Sequence, residues 1–360
     1  MDLRQVFQTV IEKEASDLFL TVNTVPRFRV HGRIESFGDH VISVKEMHMI
    51  ADSLLEDDEK RARFQENLGI DFIHVEPDIG RFRVNMFIQR GSPALVARHV
   101  RTEIRSFEQL NLPHQVLNKL CTECSGLVLL CGPAGSGKST AIASMLEEIN
   151  QRQQKHIVTI EDPIEFLFTH KKSIINQREL EVDVPSYPDA LKHVTQQSPD
   201  IIYIGNIRDV DTMRAAITAT ELGAFVVSTF HTINAVQTLT RIVNFFPPYQ
   251  HEEVYMQLSS LLKGVISLRL LPRKDGQGRI PAYETMVVTP TVARLIREGK
   301  VNEIQPFIDE GDLFGMQSFK KSLVGLVRAG LVNEDDARMR ADSRDEFDLE
   351  IKGIRRIADI

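Results

Sequence analysis

Residues Gly132–Ser139 read Gly-Pro-Ala-Gly-Ser-Gly-Lys-Ser, the G-x-x-x-x-G-K-S spacing of a phosphate-cradling loop. Gly132, Gly135 and Gly137 allow a tight turn that points successive backbone N–H groups inward, with Pro133, Ala134 and Ser136 between them and Thr140 just beyond. Lys138 has the reach and charge for the β and γ phosphates, and the Ser139 hydroxyl suits Mg²⁺. The same residues could make a plain glycine-rich turn with a surface lysine, and the flanks decide between the two. Leu127–Cys131 is a short apolar run that predicts a buried strand, and the residues after Ser139 carry apolar positions at helical spacing. Strand, loop and helix in that order predict a site for ATP with Mg²⁺, the positive end of the helix facing the phosphates.

Hydrolysis asks for more: a group that orients or deprotonates water, and acids that support the metal. Glu161, Asp162 and Glu165 directly follow an expected strand, His156–Ile160. They suit a base and metal-supporting carboxylates, with Glu161 and Asp162 as metal candidates, or else they cap a helix on a solvated loop. His231 closes another expected strand, Ala224–Thr229, where it is either packed or a sensor of the γ-phosphate. A third strand, Asp200–Ile204, has the hydrophobic character of a Walker B segment but lacks the acidic terminus. Asn206 stands there, able to accept a hydrogen bond from water but uncharged and a far poorer base than a carboxylate.

These residues need a scaffold, and its outline is readable. The 360-residue length predicts two domains, and 42% hydrophobic with 26% charged residues describes a globular chain with enough core to fold. A net charge of −7 argues against a dedicated nucleic-acid binder. No apolar run reaches transmembrane length and no signal-peptide pattern opens the chain, so a cytoplasmic location is expected. Of the three cysteines, Cys121 and Cys124 form a C-x-x-C pair with no second pair, which reads as reduced thiols sooner than as a metal knuckle or redox pair. Residues 1–101 alternate helical and strand patterns, with a turn at His31-Gly32, and predict an α+β domain. Residues 102–114 read as a polar connector. From 115 to 345 strands and helices alternate in the rhythm of a mostly parallel sheet, which puts ligand chemistry at the carboxyl ends of strands. Pro306 is expected to interrupt a helix over Val301–Glu310, and residues 346–360 read as a charged tail. Arg81 and Arg83 share one strand face and Arg98 lies on the next strand; alone, they read as solvated charges.

With these motifs in order, the chain resembles the type IV pilus retraction ATPases, the PilT and PilU group of the secretion ATPase superfamily. The resemblance covers nearly the whole length. It is carried by Ala15-Ser16-Asp17-Leu18, Arg81-Phe82-Arg83-Val84-Asn85, the phosphate loop, Thr159–Phe166 (TIEDPIEF), Asn176-Gln177-Arg178-Glu179, Ile207-Arg208-Asp209, Thr229-Phe230-His231-Thr232 and Gly315-Met316-Gln317. Asn244-Phe245-Phe246-Pro247 and Lys274–Arg279 look more like PilU, whereas Ile207-Arg208-Asp209 looks more like PilT.

The resemblance implies a PAS-like first domain and a RecA-like P-loop ATPase domain. It implies a homohexameric ring at the cytoplasmic side of the inner membrane, engaging a pilus platform protein, with PilT as a further candidate partner. It assigns Glu165 as catalytic glutamate, His231 as the His-box histidine, and Arg83 and Arg98 as arginines that reach the nucleotide from the first domain. Where this chain has Asn206 the group carries glutamate, and Gln196-Gln197-Ser198-Pro199 stands where Arg-Glu-Asp-Pro is usual. Two functions follow: a working retraction motor, or an ATP-binding accessory ring subunit with weak or no hydrolysis.

Overall fold

The computed structural model describes residues 1–353 except His31, Glu56, Arg101 and Thr102. His31 of the expected turn and residues 354–360 of the expected tail therefore lie outside the described residues. The chain divides into two units, Met1–Thr102 and Glu103–Ile360.

The first unit runs α1 (Leu3–Glu12), β1 (Asp17–Leu20), β2 (Arg27–Val30), β3 (Arg33–Ser36), α2 (Val44–Leu54), α3 (Asp58–Asn67), β4 (Gly69–Glu76), β5 (Gly80–Gln89) and β6 (Ser92–Val100). Its strands form one antiparallel sheet in the order β3-β2-β1-β6-β5-β4. Side-chain oxygens of Asp2, Ser43 and Asp57 accept the first free amides of the three helices, which is what fixes where each begins. The apolar faces of α1 and α2 close over the sheet around Phe7, Phe28, Met47 and Phe82.

The second unit begins with α4 (His114–Cys121), β7 (Gly126–Cys131), α5 (Lys138–Arg152), β8 (His156–Glu161), β9 (Ile174–Glu179), α6 (Tyr187–Val194), β10 (Ile201–Ile204), α7 (Val210–Glu221), β11 (Phe225–Phe230), α8 (Ala235–Val243) and α9 (His251–Leu261). It ends with β12 (Leu262–Pro272), β13 (Arg279–Val287), α10 (Pro290–Arg297), α11 (Gln305–Glu310), α12 (Phe319–Arg328), α13 (Glu334–Arg340) and α14 (Arg344–Ile351). The sheet order is β13-β12-β7-β11-β10-β8-β9, and every neighbouring pair is parallel except β12 with β13. All six residues of β7 are buried, as a central parallel strand covered on both faces requires. The result is a mixed α/β chain: an antiparallel N-terminal sheet, then a parallel-rich sheet covered by helices.

The segment read as a connector carries Phe107 and Leu112, both buried in the second unit's core beside Leu117 and Met145. Pro306 does divide its segment, with a short 3-10 turn at Val301–Glu303 followed by α11. The expected charged tail is corrected in part, because residues Arg344–Ile351 form a helix. Ser343 accepts the Glu346 amide, Arg338 pairs with Asp348 at 2.8 Å, and Phe347 is fully buried among Leu271, Phe319 and Leu323. One large apolar anchor and one cap outweigh a polar composition. The elements α8, α9 and β9 are not among those the sequence pattern predicts.

Candidate functional site

The phosphate loop leaves β7 at Cys131 and enters α5 at Lys138. Its glycines are required by geometry. Gly137, the N-cap of α5, sits at φ +95°, and a Cβ on Gly132 would lie 2.5 Å from both the Leu268 carbonyl oxygen and the Ser136 Oγ. Lys138 Nζ donates to the carbonyls of Gly132 at 2.7 Å and Pro133 at 3.0 Å, folding back over the loop, and burial lowers its pKa. A buried ammonium held by two carbonyls has every reason to turn toward phosphate oxygens. Ser136 is 3% exposed and its Oγ has no hydrogen-bond partner among the described residues. Glycine cradle, buried lysine and unsatisfied hydroxyl together fit a polyphosphate.

Beside the loop lies a cavity of about 400 Å³ lined by Pro133, Ser136, Leu270, Arg279, Met339 and Arg340. The sequence reading gave none of the last four a role. They come from the β12–β13 hairpin and α13, far away in sequence, and no short-range pattern connects them to the loop.

Across the loop, the Ser139 hydroxyl donates to Glu165 Oε1 at 3.0 Å. The expected Mg²⁺-binding hydroxyl and the expected base therefore touch. Glu161 ends β8 with 5% exposure; its Oε1 accepts from the Thr159 hydroxyl at 2.7 Å and the Gln177 amide at 3.1 Å. Burial lifts its pKa to about 7; these two hydrogen bonds pull it back, and the nearby Glu165 charge adds to the rise. Asp162 Oδ2 lies 4.0 Å from Arg208. Among the described residues no three of His, Cys, Asp and Glu gather to hold a metal. Mg²⁺ fits here in the manner of nucleotide sites, held by Ser139, phosphate oxygens and water.

The next strand carries no acid. β10 runs in register with β8, Ile204 opposite Ile160, and the Gly205 amide donates to the Ile160 carbonyl at 2.8 Å. A Cβ on Gly205 would meet Tyr187 Oη at 2.7 Å and Glu161 Cα at 3.2 Å, so the chain has glycine where it packs against the carboxylate strand. Asn206 follows, 7% exposed, its Nδ2 2.9 Å from His231 Nε2. An amide N–H donating there needs the Nε2 lone pair, hence a neutral imidazole with its proton on Nδ1. The surroundings agree: burial first, then the charges of Lys138 and Arg208, lower the His231 pKa. The Thr229 hydroxyl donates to the Gly205 carbonyl at 2.6 Å and ties the two strand ends together. Asn206 Oδ1 is buried with no partner among the described residues. The structure thus joins Ser139 to Glu165, sets Glu161 beside Glu165, brings the Lys138 charge within reach of both Glu165 and His231, and pairs Asn206 with His231.

In the first unit, Arg83 on β5 lies directly opposite Arg98 on β6. Like charges in that position repel, and two aspartates offset them. Asp17, 4% exposed, accepts from Arg98 Nε at 2.9 Å and takes Arg29 Nε at 3.2 Å, while Asp71 lies 3.6 Å from Arg83 Nε. Sequence reading missed the role of Asp17, although the Ala15-Ser16-Asp17-Leu18 motif contained it. Elsewhere, Cys121 is buried and Cys124 exposed, both free. No helix of the described residues is long and apolar enough to cross a membrane.

Residues 1–325 match the family of type II/IV secretion system proteins. The chain is 37% identical to the type IV pilus ATPase PilU of Pseudomonas aeruginosa, over 98% of this chain and 92% of that protein. It is 38% identical to the type IV pilus retraction ATPase PilT of the same organism, over 96% of this chain and 100% of that protein. A crystal structure of the pilus retraction motor PilT with bound ADP superposes with a TM-score of 0.88 at 39% identity, covering 96% of this chain and 98% of that one.

Proposed function

The chain belongs to the type II/IV secretion system protein family, and on that premise we propose that it is a type IV pilus retraction ATPase, hydrolysing ATP with Mg²⁺ to drive pilus disassembly and twitching motility. The observation that carries this reading is the 3.0 Å contact between Ser139 and Glu165 at the mouth of the phosphate loop. It joins the metal-binding hydroxyl to a carboxylate that follows a strand end, where an attacking water would need its base.

The roles divide accordingly. The loop amides and Lys138 bind the β and γ phosphates. Mg²⁺, when bound beside Ser139, neutralises phosphate charge. Glu165 accepts the proton of the attacking water, Asn206 orients water through its amide, and His231 senses the γ-phosphate position. Glu161 and Asp162 support the metal's surroundings. Arg83 and Arg98 supply guanidinium forks suited to phosphate oxygens, and nucleotide occupancy cycling around a ring becomes motion. The assembly is a homohexamer at the cytoplasmic face of the inner membrane, acting on a pilus platform protein, alongside a PilT motor and without nucleic acid.

A second reading is favoured by one observation: the turn after β10 carries Asn206, already paired with a neutral His231. On that reading the chain is an ATP-binding ring subunit of weak or no turnover that couples to an active motor. Purified protein with Mg²⁺ and ATP separates the two. Turnover that disappears in Lys138→Ala supports the motor, whereas tight ATP binding without turnover supports the accessory subunit. In cells, loss of the protein is expected to give hyperpiliated, immotile bacteria; normal retraction in such cells rules out the retraction role.

A further inference from the structure

A separate cavity of about 240 Å³ lies between β13 and the C-terminal helices. Among its lining residues are four carboxylates, Glu284, Asp309, Asp342 and Glu346, and one ammonium, Lys320, which lies 3.9 Å from Glu346, while Gln305 Nε2 donates to Asp309 at 3.5 Å. Glu284 is 2% exposed and accepts the Ala235 amide, the first of α8, at 2.8 Å. Asp342 is paired with Arg269 at 2.6 Å. Ser318 also lines the cavity. It is the N-cap of α12 and 4% exposed, yet its Oγ makes no capping bond and has no partner among the described residues. A buried hydroxyl left without a partner is uncommon and asks what completes it.

The carboxylates lie on different elements, and no three acidic or histidine side chains of the described residues converge on a metal-sized point. Acceptors spread around a cavity of this volume suit a ligand with several N–H donors on a short carbon frame. We propose that this cavity binds a small organic cation, a primary ammonium of the aliphatic polyamine class. Its place in the fold links it to the nucleotide site. Glu284 holds the start of α8, just beyond His231, and Asp342 lines the phosphate-loop cavity as well as this one. Arg269, the partner of Asp342, also donates to the Ile233 carbonyl at 3.4 Å in the His231 loop.

Burial lifts Glu284 to about 7, so at neutral pH it holds a proton part of the time. An arriving ammonium favours the ionised carboxylate and releases that proton. The test is isothermal titration of the nucleotide-free full chain with spermidine, run in two buffers of different ionisation enthalpy. Saturable binding is expected, with heat that changes between buffers. Asp309→Asn is expected to weaken binding by about tenfold, the scale of one charge-assisted hydrogen bond, and Ser318→Ala by a few-fold. Neither substitution removes the helix contact made by Glu284. Absence of saturable heat overturns the proposal. So does unchanged affinity in both variants, which marks spermidine as a surface counterion. Equal binding of tetramethylammonium, which has no N–H, or displacement by Mg²⁺ at matched concentration, reassigns the cavity and overturns the ammonium.

Discussion

Two neighbouring strands of one sheet end in opposite chemistry. β8 delivers Glu161, and Asp162 and Glu165 follow within a turn; β10, in register beside it, delivers Gly205 and Asn206. The first end is charged and tied to the phosphate loop through Ser139, and the second is neutral and tied to His231. The lesson is that negative charge at the site has been gathered on one side. A sheet that placed carboxylates on both ends would face them across a strand spacing in a buried setting, where each raises the other's pKa. Glu161 already sits near 7 from burial, with Glu165 contributing. Asparagine on β10 spares that repulsion and leaves the proton chemistry to β8.

The most severe way to break this division is at its charged end. Glu165→Gln keeps the shape and the Ser139 contact but removes the base. Turnover is expected to fall by about 10²–10⁴ while ATP affinity holds, because the loop and Lys138 do the binding. Steady-state turnover with a parallel nucleotide-binding titration checks this; a loss of affinity equal to the loss of rate would move Glu165 from catalysis to binding.

A smaller effect tests whether Glu161 is strained by its position. Its folded pKa, about 7, lies above the ordinary 4.5. A raised carboxyl stabilises the fold fully below pH 4.5, and that contribution is lost as pH rises through 7. Glu161→Gln cannot ionise. Its melting temperature relative to the parent is therefore expected to climb between about pH 5 and pH 8, by a difference worth at most on the order of a few kcal/mol. A flat difference would mean that water reaches the carboxylate.

The backbone of the neutral end is the next target. Gly205→Ala places a methyl 2.7 Å from Tyr187 Oη and 3.2 Å from Glu161 Cα. Overpacking of this kind costs about 1–3 kcal/mol. Tyr187→Phe in the same chain removes the nearest atom and is expected to recover part of the loss. Chemical denaturation of the two variants and their combination reads this directly, and strict additivity would show that the two groups do not meet.

The sequence made much of this legible, and the reason differs from residue to residue. The phosphate loop is a local device: glycines, lysine and serine act within eight residues, so spacing alone exposes it. The parallel rhythm and the strand ends at Glu161, Asn206 and His231 were visible because buried strands are apolar runs with a clear stop. What spacing could not give was pairing across strands. That Asn206 meets His231, that Ser139 meets Glu165 and that Asp17 holds Arg98 depend on register and sheet order. The helix at Arg344–Ile351 was hidden for another reason: its charged residues dominate composition, while Phe347 is its one buried residue.

The mildest change bears most directly on the contrast between the strand ends. Asn206→Glu restores a carboxylate to β10. It would accept from His231 Nε2, so the histidine must carry a proton there, and the new charge raises the His231 pKa against burial and the Lys138 and Arg208 charges that now lower it. If the chain is a motor whose water is merely oriented by the amide, turnover should rise by about tenfold, the worth of one well-placed hydrogen bond to a charged group. The limb of the pH–rate profile that reports His231 should move to higher pH with it. If the chain is an accessory subunit, turnover should instead emerge from near nothing by about 10²–10⁴, the range a positioned base supplies. A variant that gains no rate and leaves that limb in place would show that the neutral strand end is not what limits hydrolysis, and the division of labour between β8 and β10 would have to be redrawn around Glu165 alone.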